Sequence, residues 1–149
     1  MTRLPLNART RARLAWMLPL CVAGSTLAHT YDVPMGEAPG LTHYAGFICS
    51  NDAGFDSDHL VAQVRNNTPG APAVSVVVIK DSRAATTTDA VGGDAQASPA
   101  LQVRGGNGVY QLVVHKSGPG ALNYSLIVHC MEASGQIHTG TDVVVYQFE

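Results

Sequence analysis

Two segments, Val109-Tyr-Gln-Leu-Val-Val-His-Lys116 and Leu122-Asn-Tyr-Ser-Leu-Ile-Val-His-Cys130, have the most regular alternation of apolar and polar residues in this chain of 149 residues. Ser117-Gly-Pro-Gly120 lies between them. Alternation with a period of two residues is typical of β-strands that bury one face. The glycine- and proline-rich segment between them predicts a turn. Because a one-residue slip would turn an apolar face outward, we expect an antiparallel hairpin in which the face of Tyr110 opposes even-numbered residues of the second strand.

Further strand-like segments lie on both sides of this pair. They are rich in β-branched residues and are bounded by Gly, Pro, Asn and Asp. They comprise residues 42–49, 60–65, 74–80, 101–104 and 143–148. The small polar residues 81–99 predict a long loop, with at most a short strand near residues 86–91. About seven or eight short strands, with almost no helical periodicity, predict an all-β fold, an antiparallel β-sandwich.

Two of these segments resemble part of a known family. Gly108-Val-Tyr-Gln-Leu-Val-Val114 and Tyr124-Ser-Leu-Ile-Val128 are similar to the closing hairpin of bacterial pre-peptidase C-terminal (PPC-like) domains, within a match over residues 74–130. Those domains are non-catalytic β-sandwiches of secreted enzymes, so the resemblance implies a role in secretion, adhesion or calcium binding. The whole chain also resembles small exported proteobacterial β-sandwich proteins, which implies no activity.

The N-terminal segment has the layout of a secretory signal peptide. Residues 3–13 hold four arginines and no acidic residue, and the apolar residues 14–24 follow, with small residues at the expected cleavage positions. We therefore expect a signal peptide over residues 1–28 and one β-sandwich domain over residues 29–149. A cut after Ser25 and an uncleaved anchor are the alternatives. The apolar run is too short to span a bilayer, so we expect a periplasmic or secreted protein that is not an integral membrane protein.

The cysteines favour the same compartment. Once residues 1–28 are removed, Cys49 and Cys130 remain. An even number of cysteines in an exported chain predicts one disulfide between them. The alternative, a reactive thiol pair, lacks the usual Cys-x-x-Cys spacing.

Charge and motifs narrow the possible functions. Residues 29–149 hold five basic and eleven acidic side chains, and this net charge of −6 argues against nucleic acid and anionic membranes as partners. The chain has no Gly-x-Ser-x-Gly elbow, no phosphate-binding Gly-Lys-Ser/Thr loop and no His-Glu-x-x-His zinc motif. We expect a non-catalytic binding or accessory protein whose partner is a protein or an extracellular polymer, with residues 51–59 and 81–99 as the contact loops. An enzyme without a recognised motif is the alternative.

Calcium binding is a further hypothesis. Asn51-Asp-Ala-Gly-Phe-Asp-Ser-Asp-His59 places Asp52, Asp56 and Asp58 within seven residues, and flexible loops with several carboxylates suit calcium. The spacing does not match an EF-hand. The alternative is turn chemistry, because Asp and Asn side chains bond to nearby backbone groups in such loops.

Six histidines within residues 29–149 suggest copper as another ligand. Cleavage after residue 28 would give His29 a free α-amino group beside its imidazole, a chelate that suits copper(II). A further ligand would come from one of three histidines: His43, His59 or His138. The alternative is a frayed terminus that begins with histidine by chance. We expect His115 and His129 at opposite ends of the hairpin, too far apart to share one ion.

Overall fold

The computed structural model describes residues 29–52 and 54–148, and the predicted signal peptide lies outside them. This part of the chain contains nine strands and no helix. In chain order they are β1 (His29–Met35), β2 (Thr42–Ser50), β3 (His59–Asn66), β4 (Val74–Lys80), β5 (Arg83–Asp89), β6 (Leu101–Arg104), β7 (Gly108–Lys116), β8 (Leu122–Met131) and β9 (Gly140–Gln147). Nothing in the described ranges has the length and apolar character of a membrane-crossing helix.

The strands form two antiparallel sheets that enclose one apolar core. The first sheet has the order β1-β8-β3-β6, and the second has the order β5-β4-β7-β2-β9. Both sheets contribute large, fully buried side chains, among them Phe47, Tyr110, Leu112, Met35, Leu60 and Tyr124. The predicted all-β antiparallel sandwich is therefore confirmed, with nine strands in the described residues instead of seven or eight.

The sequence prediction omits β1, and it gives β5 only as a short strand near residues 86–91 within a long loop. β1 contains Asp32 and Pro34, and β5 consists of small and polar residues within the segment expected to be a loop. Residues of these kinds are depleted in strands, so neither segment gives a strong signal. Both strands lie at sheet edges, where one row of backbone groups needs no partner strand and where proline is tolerated.

β7 and β8 do not form the predicted hairpin, so that prediction is wrong. β7 lies between β2 and β4 in one sheet, and β8 lies between β1 and β3 in the other. The turn at residues 117–121 therefore takes the chain from one sheet to the other. The predicted faces are correct, since Tyr110 and Tyr124 are both buried. Alternation shows which face is buried, but it does not distinguish a neighbour in the same sheet from a strand across the core.

One disulfide joins the two sheets. Cys49 of β2 and Cys130 of β8 are buried, their Cα atoms lie 5.5 Å apart, and their sulfur atoms are at bonding distance. This geometry confirms the predicted pair. Because β2 and β8 belong to different sheets, the bond fixes the spacing between the two layers.

Removing the bond between Cys49 and Cys130 should destabilise the fold. We expect the Cys49→Ala/Cys130→Ala variant to lose about 2–5 kcal/mol of unfolding free energy, because a cross-link over a long loop restricts the unfolded chain. Chemical denaturation of wild type and variant measures the difference. Peptide mapping after alkylation of the unfolded, unreduced wild type should find neither cysteine modified, and modification of both would contradict the bond.

Candidate functional site

Two of the histidines predicted as metal ligands are buried. His43 is 2 % exposed, and its Nδ1 atom lies 2.8 Å from the hydroxyl oxygen of Tyr124. Burial raises the pKa of Tyr124, so this hydroxyl stays protonated at neutral pH. His59, at the start of β3, is also buried, and its Nδ1 atom lies 2.9 Å from Oδ2 of Asp58. Both imidazoles therefore take part in hydrogen bonds within the chain.

The acidic loop of residues 51–58 is held by contacts within the chain. Asp56 accepts hydrogen bonds from the side-chain amides of Asn107, at 2.8 Å, and Asn51, at 3.3 Å. These bonds lower the pKa of the Asp56 carboxyl group. Asn51 and Asn107 thus hold the Asp56 carboxylate within this expected contact loop.

The other two aspartates of this loop also make contacts within the chain. Asp58 pairs with Arg104 in addition to His59, and Asp52 forms a backbone bridge with Phe55 that closes a turn. Within residues 29–52 and 54–148, no group of three His, Cys, Asp or Glu side chains is placed to hold a metal ion. The structure therefore does not assemble the expected ligands into one site: His29, His43, His59, His138, Asp52, Asp56 and Asp58.

Two histidines meet at the end of β8. The rings of His129, on β8, and His138, in the loop after it, pack with centroids 4.6 Å apart. Burial lowers the pKa of His129, and its neighbours His138 and His29 lower it further. The prediction that placed His115 and His129 in one hairpin is wrong, because their strands belong to different sheets and the two side chains lie on opposite outer faces.

Glu132 organises the loop that contains His138. Its carboxylate accepts hydrogen bonds from the hydroxyl and backbone amide of Ser134 and from the backbone amides of Gln136 and Ile137. These bonds, with those from Ser134 the strongest, lower the pKa of Glu132 to about 2. The carboxylate is therefore ionised across the physiological pH range and holds the turn of residues 132–137 in place.

The four sheet edges differ in their protection against strand pairing. β6 has only four residues and ends in Arg104, β5 presents threonines, and β1 contains Asp32 and Pro34. Short length, proline and charge all discourage a further strand from adding to an edge. β9 and the residue after it contain the uncharged, mostly apolar run Val143-Val-Val-Tyr-Gln-Phe148. Asp142, near the start of β9, is the one charged residue of that strand, so among the described edges β9 is the most open to pairing.

An apolar cleft lies next to this open edge. It has a volume of about 420 Å³ and lies between β1 and β9, which are the edge strands of the two sheets on this side of the sandwich. Its lining is mainly apolar, with Tyr31, Phe47, Val145 and Phe148, and it includes Asp32 of β1. The cleft is thus a gap where the two inward faces end without a strand to cover them.

The inward face of β9 borders the cleft. Val145 pairs with Ala45 of β2, whose side chain is buried, yet Val145 itself remains 50 % exposed. Phe148 packs against His43 with ring centroids 4.8 Å apart and is 46 % exposed. Side chains of this type are normally covered on an inward face, so this part of the core is incomplete.

The outward face of β9 is apolar as well. Val144 is 40 % exposed and Tyr146 is 52 % exposed. Tyr146 packs beside Tyr44 and lies over Gly46, where a Cβ atom would come within 2.8 Å of the Tyr146 hydroxyl oxygen. The glycine therefore gives the tyrosine ring room to lie flat on the sheet, next to the open edge.

The apolar run of residues 143–148 predicts the last strand, β9, but not its position at the edge of a sheet. Strand order decides that position, and alternation does not give strand order. One signal is present: residues 143–146 are apolar without alternation, which is typical of a strand covered on both faces. At an exposed edge, the same run forms an apolar patch on the surface.

Comparisons with known proteins give no relative for this chain. No protein-family model matches it, and neither the curated proteins nor the solved structures give a match. The resemblance to pre-peptidase C-terminal domains therefore stays a hypothesis.

Acid should loosen the loop of residues 132–139. The pKa of Glu132 is about 2 in the fold and 4.5 without its partners, so its hydrogen bonds stabilise the loop above about pH 4.5 and are lost as the pH falls towards 2. We expect the hydrogen-exchange protection factors of Ser134, Gln136 and Ile137 to fall across this window. NMR measures them residue by residue.

A matched pair of variants separates this effect from general acid unfolding. Glu132→Gln should reduce the same protection factors at neutral pH, whereas Glu37→Gln, at an exposed glutamate, should leave them unchanged. Full protection in Glu132→Gln would show that the carboxylate does not hold the loop.

Proposed function

We propose that this protein is an exported, non-catalytic binding protein that holds an extended segment of another polypeptide along the edge of β9. The proposal rests on one observation: an unprotected apolar edge strand borders an apolar cleft between the two sheets. Strand addition to a sheet edge is a recurrent mode of peptide recognition, in which main-chain hydrogen bonds give affinity and pockets for alternate side chains give specificity.

The backbone of β9 favours a polypeptide over other ligands. One side of the strand pairs with β2 from Tyr44 to Ser50, and the other side lies at the end of the sheet. Such an edge presents a row of N–H and C=O groups at the spacing of an extended chain. A second extended backbone satisfies the whole row, whereas a polysaccharide or a small molecule satisfies only a few groups. We therefore favour a protein partner over an extracellular polymer.

The side chains around the edge define the sequence of the partner strand. Its alternate residues would point inward, towards Tyr31, Val145 and Phe148. A cleft of about 420 Å³ with a mainly apolar lining is large enough for aliphatic side chains at these positions, and it is unfavourable for acidic ones because Asp32 is also in the lining. The residues between them would lie beside Val144 and Tyr146 on the outer face. The expected partner segment is uncharged, with apolar residues at every second position.

β1 limits how the segment is held. The cleft is bounded on its far side by β1, whose own edge contains Asp32 and Pro34. Proline and charge disfavour pairing at that edge, so the segment pairs with β9 and only packs against β1.

Export is supported by the cysteines. A bond between two buried cysteines is typical of the periplasm or the cell exterior and rare in the cytosol. The signal peptide predicted over residues 1–28 points to the same compartment. The sequence has no recognised catalytic motif, which favours a binding role over an enzymatic one.

Site-specific photo-cross-linking tests the proposal in the source cells. A photoreactive residue replaces Val144 on β9 or, as the control, Val91 in the β5–β6 loop, which is 59 % exposed. We expect position 144 to cross-link to one extended, uncharged segment of a different protein, because the partner strand lies beside it. Position 91 should give no such product.

The mapped segment, made as a labelled synthetic peptide, tests the cleft. Wild type and Val91→Lys should bind it equally, and Val145→Lys should bind it at least about tenfold more weakly, because the lysine charge would lie against an apolar ligand. Fluorescence anisotropy measures binding, and melting temperatures show that the variants fold. Cross-links only to other copies of this chain, equal products from both positions, or equal binding by Val145→Lys would overturn the proposal.

A further inference from the structure

We propose that His129 and His138 bind a divalent transition-metal ion at the end of β8, on the outer face of the four-stranded sheet. This site is separate from the edge of β9 and does not depend on the proposed function. Imidazole ligands suit copper, zinc and nickel, and copper(II) binds most tightly of the three in the usual order. Copper(II) is therefore the best probe of the site.

The spacing of the two rings fits two ligands of one ion. Their centroids lie 4.6 Å apart, with the ring planes inclined by 50°. A metal lies about 2.0–2.1 Å from an imidazole nitrogen and roughly 3.2 Å from the ring centre, so two imidazoles at about 90–110° around one ion have centroids roughly 4.5–5.2 Å apart. The observed distance lies within this range.

His129 also has a nitrogen that the fold does not use. Its Nδ1 atom is buried and has no hydrogen-bond partner among the described residues. Folded proteins rarely leave a buried polar atom unsatisfied, and a bound ion is one of the physical explanations for such an atom. A neutral imidazole has a free lone pair on its unprotonated nitrogen, and this nitrogen is Nδ1 when the proton is on Nε2. In that tautomer, Nδ1 of His129 can bind a metal ion.

His138 is held in position by the backbone around it. Met131 and His138 form an antiparallel bridge, and the backbone amide of Thr139 donates to the carbonyl of Cys130 at 2.9 Å. Cys130 is itself tied to Cys49 through the disulfide. The loop is therefore anchored at the most constrained part of β8, which lowers the cost of ordering a ligand for the metal.

His29 is the nearest source of a third nitrogen. It starts β1 opposite Val128, and it is close enough for its charge to act on His129. Within the described ranges three ligands do not converge on one point, so the exposed His29 side chain would have to rotate to complete the site. This arrangement differs from the terminal chelate expected from the sequence, because His129 and His138 are the essential ligands.

Copper(II) titration of the chain, purified without a polyhistidine tag, tests the site. We expect one equivalent to bind, His129→Gln and His138→Gln each to weaken binding by at least about tenfold, and His115→Gln to change it by less than about twofold. His115 is the matched control because it is a strand histidine on the outer face of the other sheet.

A second measurement uses the unmodified chain and does not depend on how the variants fold. Zinc added to protein with ¹⁵N-labelled histidine should shift the imidazole resonances of His129 and His138 before those of His115. Three results would overturn the proposal. They are no ion bound at one equivalent, wild-type affinity in both His129→Gln and His138→Gln, or a loss of affinity only in a chain with an extra residue ahead of His29.

Discussion

The bond between Cys49 and Cys130 holds together the two strands on which the open side of the sandwich is built. β2 carries β9 at its free side, and β8 carries β1. Because the bond fixes the distance between β2 and β8, it also limits how far β1 and β9 can move apart. The cleft is therefore preformed, and the proposed partner strand would bind without the free-energy cost of opening it.

An open apolar edge is a hazard that most sheet proteins avoid. Here three of the four described edges are blunted by shortness, proline or polar residues, whereas β9 is apolar over residues 143–146 and has its one charged residue, Asp142, near its start. Val145 and Phe148 are half exposed beside the cleft that this edge borders. These features support the proposed binding of a partner strand, and the disulfide-linked layers behind the edge restrict its movement.

Side-chain alternation was sufficient to predict the class of fold and the buried faces, but not which strands pair. Tyr110 and Tyr124 are both inward, as their alternation predicts, yet they lie in different sheets. The cysteine pair could be predicted because only two cysteines follow the predicted signal peptide. The open edge and the contact of His129 with His138 could not, because both depend on strand order and on a loop that runs beside β8. The spacing of residues along the sequence gives neither the strand order nor the path of this loop.

Amide hydrogen exchange of the chain, alone and with the cross-linked partner segment, tests the central claim most directly. In the free protein, we predict rapid exchange at the β9 amides that point away from β2. In the complex, the same amides should become protected at every second residue, while residues 51–58 and 90–99 stay unchanged. Protection confined to those loops, with β9 exchanging as before, would contradict strand addition at this edge.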